Sequence, residues 1–260
     1  MAYSDFTLSD LEEKFSITNE RKELYFPVTP IKPTQWLQKE LTDSKEMPIK
    51  SEKARSEWIV VPILKELRNL NNKFFTIYSG DNLIGDKEKG LQGECDFILS
   101  KDTKSYDISV PIFHVVEAKR NDLEEGVRQC SAQLVGAKKY NDKKGIRLNK
   151  LFGCTTTGDV WQFIEFTDNK LYIDNNKYYL SEIDSLLLSM YHRLLQKFPL
   201  LNAKAATHTS RGFFVVYFLI YALPPLRNSY SLGTLFLRTT PTTKQIAIQT
   251  NATIKYCINT

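Results

Sequence analysis

The sequence predicts an α/β fold, mixed in character with α+β, built as a central mixed sheet flanked by helices. Three observations lead there. Segments at 51–70 and 122–140 carry apolar residues at helical spacing, short strand-like runs lie between and after them, and polar, turn-rich connectors separate the runs. The order that results, αβββαβββα, suits helices packed on a mixed sheet.

The elements follow in chain order. Residues 1–50 mix amphipathic pieces with Pro27, Pro30, Pro33 and Pro48. Leu11, Phe15 and Ile17 predict one small helix there, and Trp36, Leu37 and Leu41 another, in a lead-in packed on the main domain. From Ser51, residues Ile59, Val60, Ile63, Leu64, Leu67 and Leu70 form one helical stripe, with Ser51 or Ser56 as its cap. Pro62 removes a backbone bond and predicts a bend, tolerable because a wheel puts it off the stripe. Glu57 lies at the stripe's edge, where a carboxylate can reach the rim of the core. Strands are expected over Phe74–Ser79, Glu94–Ser100 and Pro111–Lys119, with SGDNLIGDKEKGLQG as the first connecting loop. A helix over Asp122–Tyr140 puts Leu123, Val127, Cys130, Leu134 and Ala137 on one face. Strands over Leu148–Thr156, Val160–Thr167 and Lys170–Tyr179, then a helix over Leu180–Phe198, complete a domain spanning 51–202.

Residues 203–260 differ in kind. They hold six basic residues and no acid, and Phe213–Leu223 is an unbroken run of 11 apolar residues. That is short of the roughly 20 a membrane helix needs. Two readings stay open for this tail, an added hydrophobic element or an extension never selected to fold, and the loss of every acid favours the second. A membrane association through 213–226 is the functional alternative it raises. The net charge of +5 is carried by this tail: removing its six basic residues from 35 leaves 29 against 30 acids. The main domain is therefore no general polyanion binder, and attraction to nucleic acid must come from a local patch. Cys95, Cys130, Cys154 and Cys257 form no C-x-x-C pair, and the three histidines lack zinc spacing. With early acids and no apolar signal core, the expected setting is reducing and cytoplasmic.

The chemistry gathers at G-E-C-D-F-I-L and F-H-V-V-E-A-K-R. Strand alternation puts Glu117 and Lys119 on one face and Val116 and Ala118 on the other. A Glu and a Lys at the end of an apolar strand are costly to bury without a task. With Asp96 on the neighbouring strand, two carboxylates converge beside one ammonium. A divalent cation is the usual way to hold both ionised, and hard oxygen ligands favour Mg²⁺, with Mn²⁺ as substitute. His114, three residues from Glu117, should face the other way. Seven basic residues from Arg128 to Lys150, Lys138 and Lys139 among them, are either a phosphate-contacting rim or a solvated helix end.

This pattern resembles the PD-(D/E)xK superfamily of restriction-endonuclease-like enzymes. The resemblance spans roughly Ser51 to Phe166. SEKARSEWIVVPIL, GLQGECDFIL, VVEAKR and TTTGDVWQF are similar to the N-terminal nuclease domain of type I restriction motor subunits. Cys95 stands where the family name has Pro. The resemblance implies an αβββαβ core and Mg²⁺-dependent phosphodiester hydrolysis, with DNA as partner. It implies Glu57 as the helix acid, and Asp96, Glu117 and the Ala118 carbonyl as metal ligands. Lys119 would stabilise charge, and Gln129 and Gln133 would brace the site or touch the nucleic-acid backbone. A nuclease fold that binds nucleic acid with weak or lost cleavage is the alternative within the same resemblance.

Overall fold

The computed structural model describes residues 1–24, 30–101 and 105–195, and beyond these only strands at 207–210, 213–220, 231–240, 243–249 and 256–259. It divides into two compact units, Met1–Lys197 and Phe198–Thr260.

In the first unit, helix α1 (Leu8–Phe15) leads into strand β1 (Thr18–Lys22), and α2 (Gln35–Asp43) follows. Thr7 and Thr34 cap the two helices through their hydroxyls, leaving fewer open N–H groups. The next helix is composite: α3 (Glu52–Arg55), a π-helical turn (Ser56–Val60), then α4 (Val61–Leu70). Ser51 caps it, its hydroxyl accepting from Ala54 N–H at 3.0 Å. Pro62 comes just after the π turn, so its missing N–H falls where the backbone bonding shifts from the π to the α pattern. It is buried, contrary to its predicted place off the stripe. The π turn carries an extra residue and rotates the downstream face, so one wheel cannot describe the whole segment.

A hairpin follows, β2 (Thr76–Asp86) and β3 (Leu91–Ser100). Most of the expected loop is therefore strand. Leu83 and Leu91 are buried within it, and Gly85 lets the backbone approach Gly136, where a Cβ would stand 2.5 Å from that residue's Cα. After β4 (Ile112–Ala118) comes the long helix α5 (Leu123–Lys143), then β5 (Lys150–Thr156) and β6 (Val160–Thr167). The last expected strand breaks into β7 (Lys170–Asp174) and β8 (Tyr178–Tyr179), because buried Asp174 turns the chain by accepting Asn176 N–H at 3.1 Å. Helix α6 (Ile183–Leu195) ends the described part of this unit; the expected helix end at 196–198 lies outside the described residues.

The sheet runs β1-β7-β6-β5-β4-β3-β2, with β8 beside β6. The β4/β5 and β1/β7 pairs are parallel and the others antiparallel. This is a mixed α/β architecture with helices on the sheet. One core lies under α5 and the N-terminal segment, with Ile98, Val115, Ile164 and Ile173. Their strand neighbours Phe97, Val116 and Phe163 are buried too and, by alternation, point to the other face, where Arg193 of α6 lies over Phe163. The lead-in is part of this unit: β1 adds a parallel edge strand, and Tyr3 packs on Gly136 of α5.

In the second unit β9 (Thr207–Ser210), β10 (Phe213–Ile220), β11 (Ser231–Thr240), β12 (Thr243–Gln249) and β13 (Tyr256–Asn259) form an antiparallel meander. The apolar run of the sequence supplies β10; its continuation at 221–226 lies outside the described residues. Among the described residues no helix is long and apolar enough to cross a membrane.

Candidate active site

The site forms where the β3/β4 ladder stops. Phe97 pairs with Val116, the last register pair in that direction. At the next residue the side chain takes over: Asp96 Oδ2 accepts the Ala118 N–H at 2.7 Å. On the other side β4 stays paired with β5 to its end, Glu117 opposite Thr155, and Lys119 N–H donates to Thr156 at 2.8 Å. Held on one side only, the end of β4 presents Glu117 and Lys119 beside Asp96.

Helix α5 covers this point with its first turns. Gln133 Nε2 donates to Glu117 Oε2 at 2.7 Å, and Lys119 Nζ donates to Gln129 Oε1 at 2.8 Å. The ammonium also stands 3.3 Å from Glu117 Oε1 and 3.2 Å from Glu125 Oε1. The close approach needs Gly126: a Cβ there would stand 2.0 Å from Thr155 Oγ1 and 3.0 Å from Lys119 Cγ. The far end of α5 is fixed at the start of β4, where Asn141 exchanges hydrogen bonds with Ile112 N–H (2.9 Å) and C=O (2.7 Å). Helix and strand are thus pinned at both ends.

Burial and charge crowding perturb the carboxylates. Burial, and then the nearby Asp96 charge, push Glu117 up to about 7, against the hydrogen bonds from Gln133 and Lys119. Asp96 is also raised, first by burial and further by Glu52 and Glu94, while the Ala118 N–H and Lys119 oppose the shift. For Lys119 burial alone acts downward, but Glu117 and Glu125 reverse it and the net direction is up. The ammonium keeps its proton.

Asp96 and Glu117 offer hard oxygens, and burial, the main cause of their raised pKa values, disfavours the charged form that a bound cation would favour. Asp96 Oδ2 and Glu117 Oε2 each have a second lone pair beyond the hydrogen bond they accept. Gln133 Oε1 and Thr155 Oγ1, fully buried on residues bonded to or paired with Glu117, have no hydrogen-bond partner among the described residues. The chemistry of these two carboxylates suits a hard divalent cation such as Mg²⁺. Among the described residues no group of three or more His, Cys, Asp or Glu side chains stands ready for a metal.

Asp96, Glu117, Lys119, Gln129 and Gln133 therefore come together, and the other sequence candidates do not. Glu57 is 53% exposed, with Lys53 at 3.9 Å as its ion-pair partner. The helix acid that reaches the cluster is Glu52, whose Oε1 accepts the Arg120 N–H at 3.0 Å. The π turn explains the exchange: Glu57 was counted on the face downstream of the inserted residue. Gln133, assigned in part to nucleic-acid contact, is fully buried and braces Glu117 instead. Lys138 and Lys139 lie nine and ten residues beyond Gln129, about 14 Å along the helix, toward the Asn141 end. Lys138 pairs there with Asp142 at 2.7 Å, and Lys150 with Glu165 at 2.7 Å, so neither lysine joins the cluster around Asp96 and Glu117. His114 is buried beside Phe152 and plays no part in the cluster.

Sequence reasoning missed Glu52 and Glu125. The Ser51 cap, by starting the helix at Glu52, was the signal for the first; Glu125 follows its cap Asp122 by one turn. No family model matches the chain, and no curated protein matches it.

Proposed function

We propose that the chain is a Mg²⁺-dependent nuclease of the PD-(D/E)xK kind, hydrolysing phosphodiester bonds in DNA. The observation that carries this reading is the meeting of Asp96, Glu117 and Lys119 at the end of the β3/β4 ladder, with both carboxylates raised in pKa. Perturbed acids around one cationic side chain are what hydrolytic sites need and what plain packing avoids.

Asp96, Glu117 and the Ala118 carbonyl would hold the ion. Bound there, Mg²⁺ supplies a water of lowered pKa and offsets charge on the phosphoryl oxygens. Lys119, kept protonated by Glu117 and Glu125, donates toward the attacking water or a phosphoryl oxygen and stabilises negative charge that grows there. Gln129 aims the ammonium, and Gln133 fixes the Glu117 carboxylate. Glu52 fixes the chain just past Lys119 through the Arg120 N–H.

A second reading, a nucleic-acid-binding module of this fold with cleavage lost, is favoured by one observation: the cluster offers two carboxylates and no third ligand side chain among the described residues. One experiment separates the two. Purified protein nicks supercoiled plasmid with Mg²⁺ or Mn²⁺ and stops on adding EDTA. Plasmid binding without nicking selects the module, and undiminished nicking by Lys119→Ala rejects the assigned chemistry.

A further inference from the structure

We infer that Glu125 is a built-in stand-in for substrate: on the Lys119 ammonium, its carboxylate holds the position that a phosphodiester oxygen takes when nucleic acid binds. The inference rests on the nuclease reading and extends it to the subsite for the reacting phosphate.

An ammonium has three N–H donors and no acceptor. Three acceptors surround Lys119 Nζ: Gln129 Oε1 at 2.8 Å, Glu125 Oε1 at 3.2 Å and Glu117 Oε1 at 3.3 Å. One donor is committed to Gln129 by a hydrogen bond, and the carboxylates of Glu117 and Glu125 stand at ion-pair distance, so an arriving phosphate oxygen competes with these two anions for the ammonium.

The three are not equally replaceable. The Glu117 side chain is 4% exposed and is held from behind by Gln133. Gln129 makes the shortest contact, is neutral and is partly buried. Glu125 is 48% exposed and, among the described residues, its carboxylate has no partner but Lys119. Its contact is longer than the ~2.7–2.9 Å usual for a charge-assisted bond, and rotation into solvent restores its hydration.

Its chemistry matches what would replace it. A carboxylate and a phosphodiester both offer anionic oxygens to the same N–H, and the two repel each other across one ammonium. Arrival of a phosphate therefore expels Glu125, while Gln129 and Glu117 keep Lys119 aimed. Glu125 competes with substrate, and its removal strengthens binding. Were it needed to aim Lys119, its removal would slow turnover instead.

The test uses the full chain and a fluorescein-labelled DNA duplex, with Ca²⁺ in place of Mg²⁺ for binding by anisotropy and Mg²⁺ for cleavage. Glu125→Ala is expected to bind about threefold to fivefold tighter, the size of a partly exposed ion pair, with Glu125→Gln between it and the wild type. The ratio kcat/KM rises with it. Glu124→Ala, on the exposed neighbour, reports the general gain from deleting one negative charge. In a Lys119→Met background the Glu125→Ala gain shrinks to the Glu124→Ala level.

A fall in kcat/KM for Glu125→Ala overturns the inference, as does a gain undiminished in the Lys119→Met background. Wild-type protein that neither binds nor cuts the duplex removes the nuclease reading and this inference with it. Wild-type protein that binds and cuts, with Glu125 variants indistinguishable from it, removes this inference alone.

Discussion

Two clusters of charge are buried on opposite faces of the sheet, and they are finished to different degrees. Around Asp174 the carboxylate is fully engaged. It accepts from Leu24 N–H (3.1 Å), Asn176 N–H (3.1 Å), the Tyr178 hydroxyl (3.1 Å) and Arg193 Nη2 (2.9 Å). Arg193 also donates to the carbonyls of Ser189 (3.0 Å) and Leu24 (3.1 Å), with its guanidinium 3.9 Å from the centre of the Phe163 ring. One acid meets one base, and the pair ties the lead-in, the sheet and α6 together. Around Lys119 the numbers do not match. Glu117 and Glu125 share one ammonium, with Asp96, Glu52 and Glu94 adding negative field. A closed pair is fastening; surplus charge held out of water is a standing demand for a cation or a ligand.

The largest effect separating the two comes from breaking the closed pair. Arg193→Met leaves Asp174 buried and uncompensated, and urea denaturation should show a loss of about 3–5 kcal/mol. A midpoint within error of wild type would mean the pair is not the fastening described. Lys119→Ala should do the converse. Plasmid nicking falls about 10²–10³-fold, while the urea midpoint moves far less than for Arg193→Met, because Glu117 can keep its proton up to about pH 7.

Next in size is a pH effect confined to the open cluster. Glu117 has a folded-state pKa of about 7 against an ordinary 4.5. Between those values the folded protein holds a proton that the unfolded chain has released, so stability falls as pH rises through the window. Calorimetry on metal-free protein should show the thermal midpoint declining from pH 4.5 to about 7, and Glu117→Gln should flatten that decline. Saturating Mg²⁺ should also relieve it, by favouring the ionised carboxylates. A flat wild-type profile would remove the surplus-charge account.

Smaller effects locate the cluster's edge. Glu52→Ala should lower nicking several-fold more than Glu57→Ala, since only Glu52 reaches Arg120. The smallest change is expected from Lys138→Ala with Lys139→Ala, about twofold or less in nicking rate, because both lie near the far end of α5. A tenfold loss there would extend the functional surface along the helix.

What could be read in the sequence follows from how local each signal is. Alternation in VVEAK and periodicity in α5 act over a few residues, so β4, α5 and the Glu117–Lys119 face were legible. Asp96 was legible as a residue, but its role in replacing a ladder bond was not, because that depends on where two strands part. The Gln129 and Gln133 stripe was visible, yet which amide meets which charge is decided by the approach at Gly126. Glu57 was misplaced because a π turn has no period to count. The Asp174–Arg193 fastening joins residues from different elements, and no linear spacing announces it. Strand β1 was missed for a similar reason: TNERK is polar at the sheet edge and carries no apolar alternation.

Asp96 does two jobs with one carboxylate, and substitution can divide them. An asparagine there still offers an oxygen to the Ala118 amide, so the seam between the two strands should stay closed while the anion is gone. An alanine loses both, and the end of the hairpin should loosen, visible as faster amide exchange at Ala118. The carboxylate at the centre of the candidate site is thus also a stitch in the sheet, and a protein without the proposed chemistry would still have reason to retain a polar residue at 96.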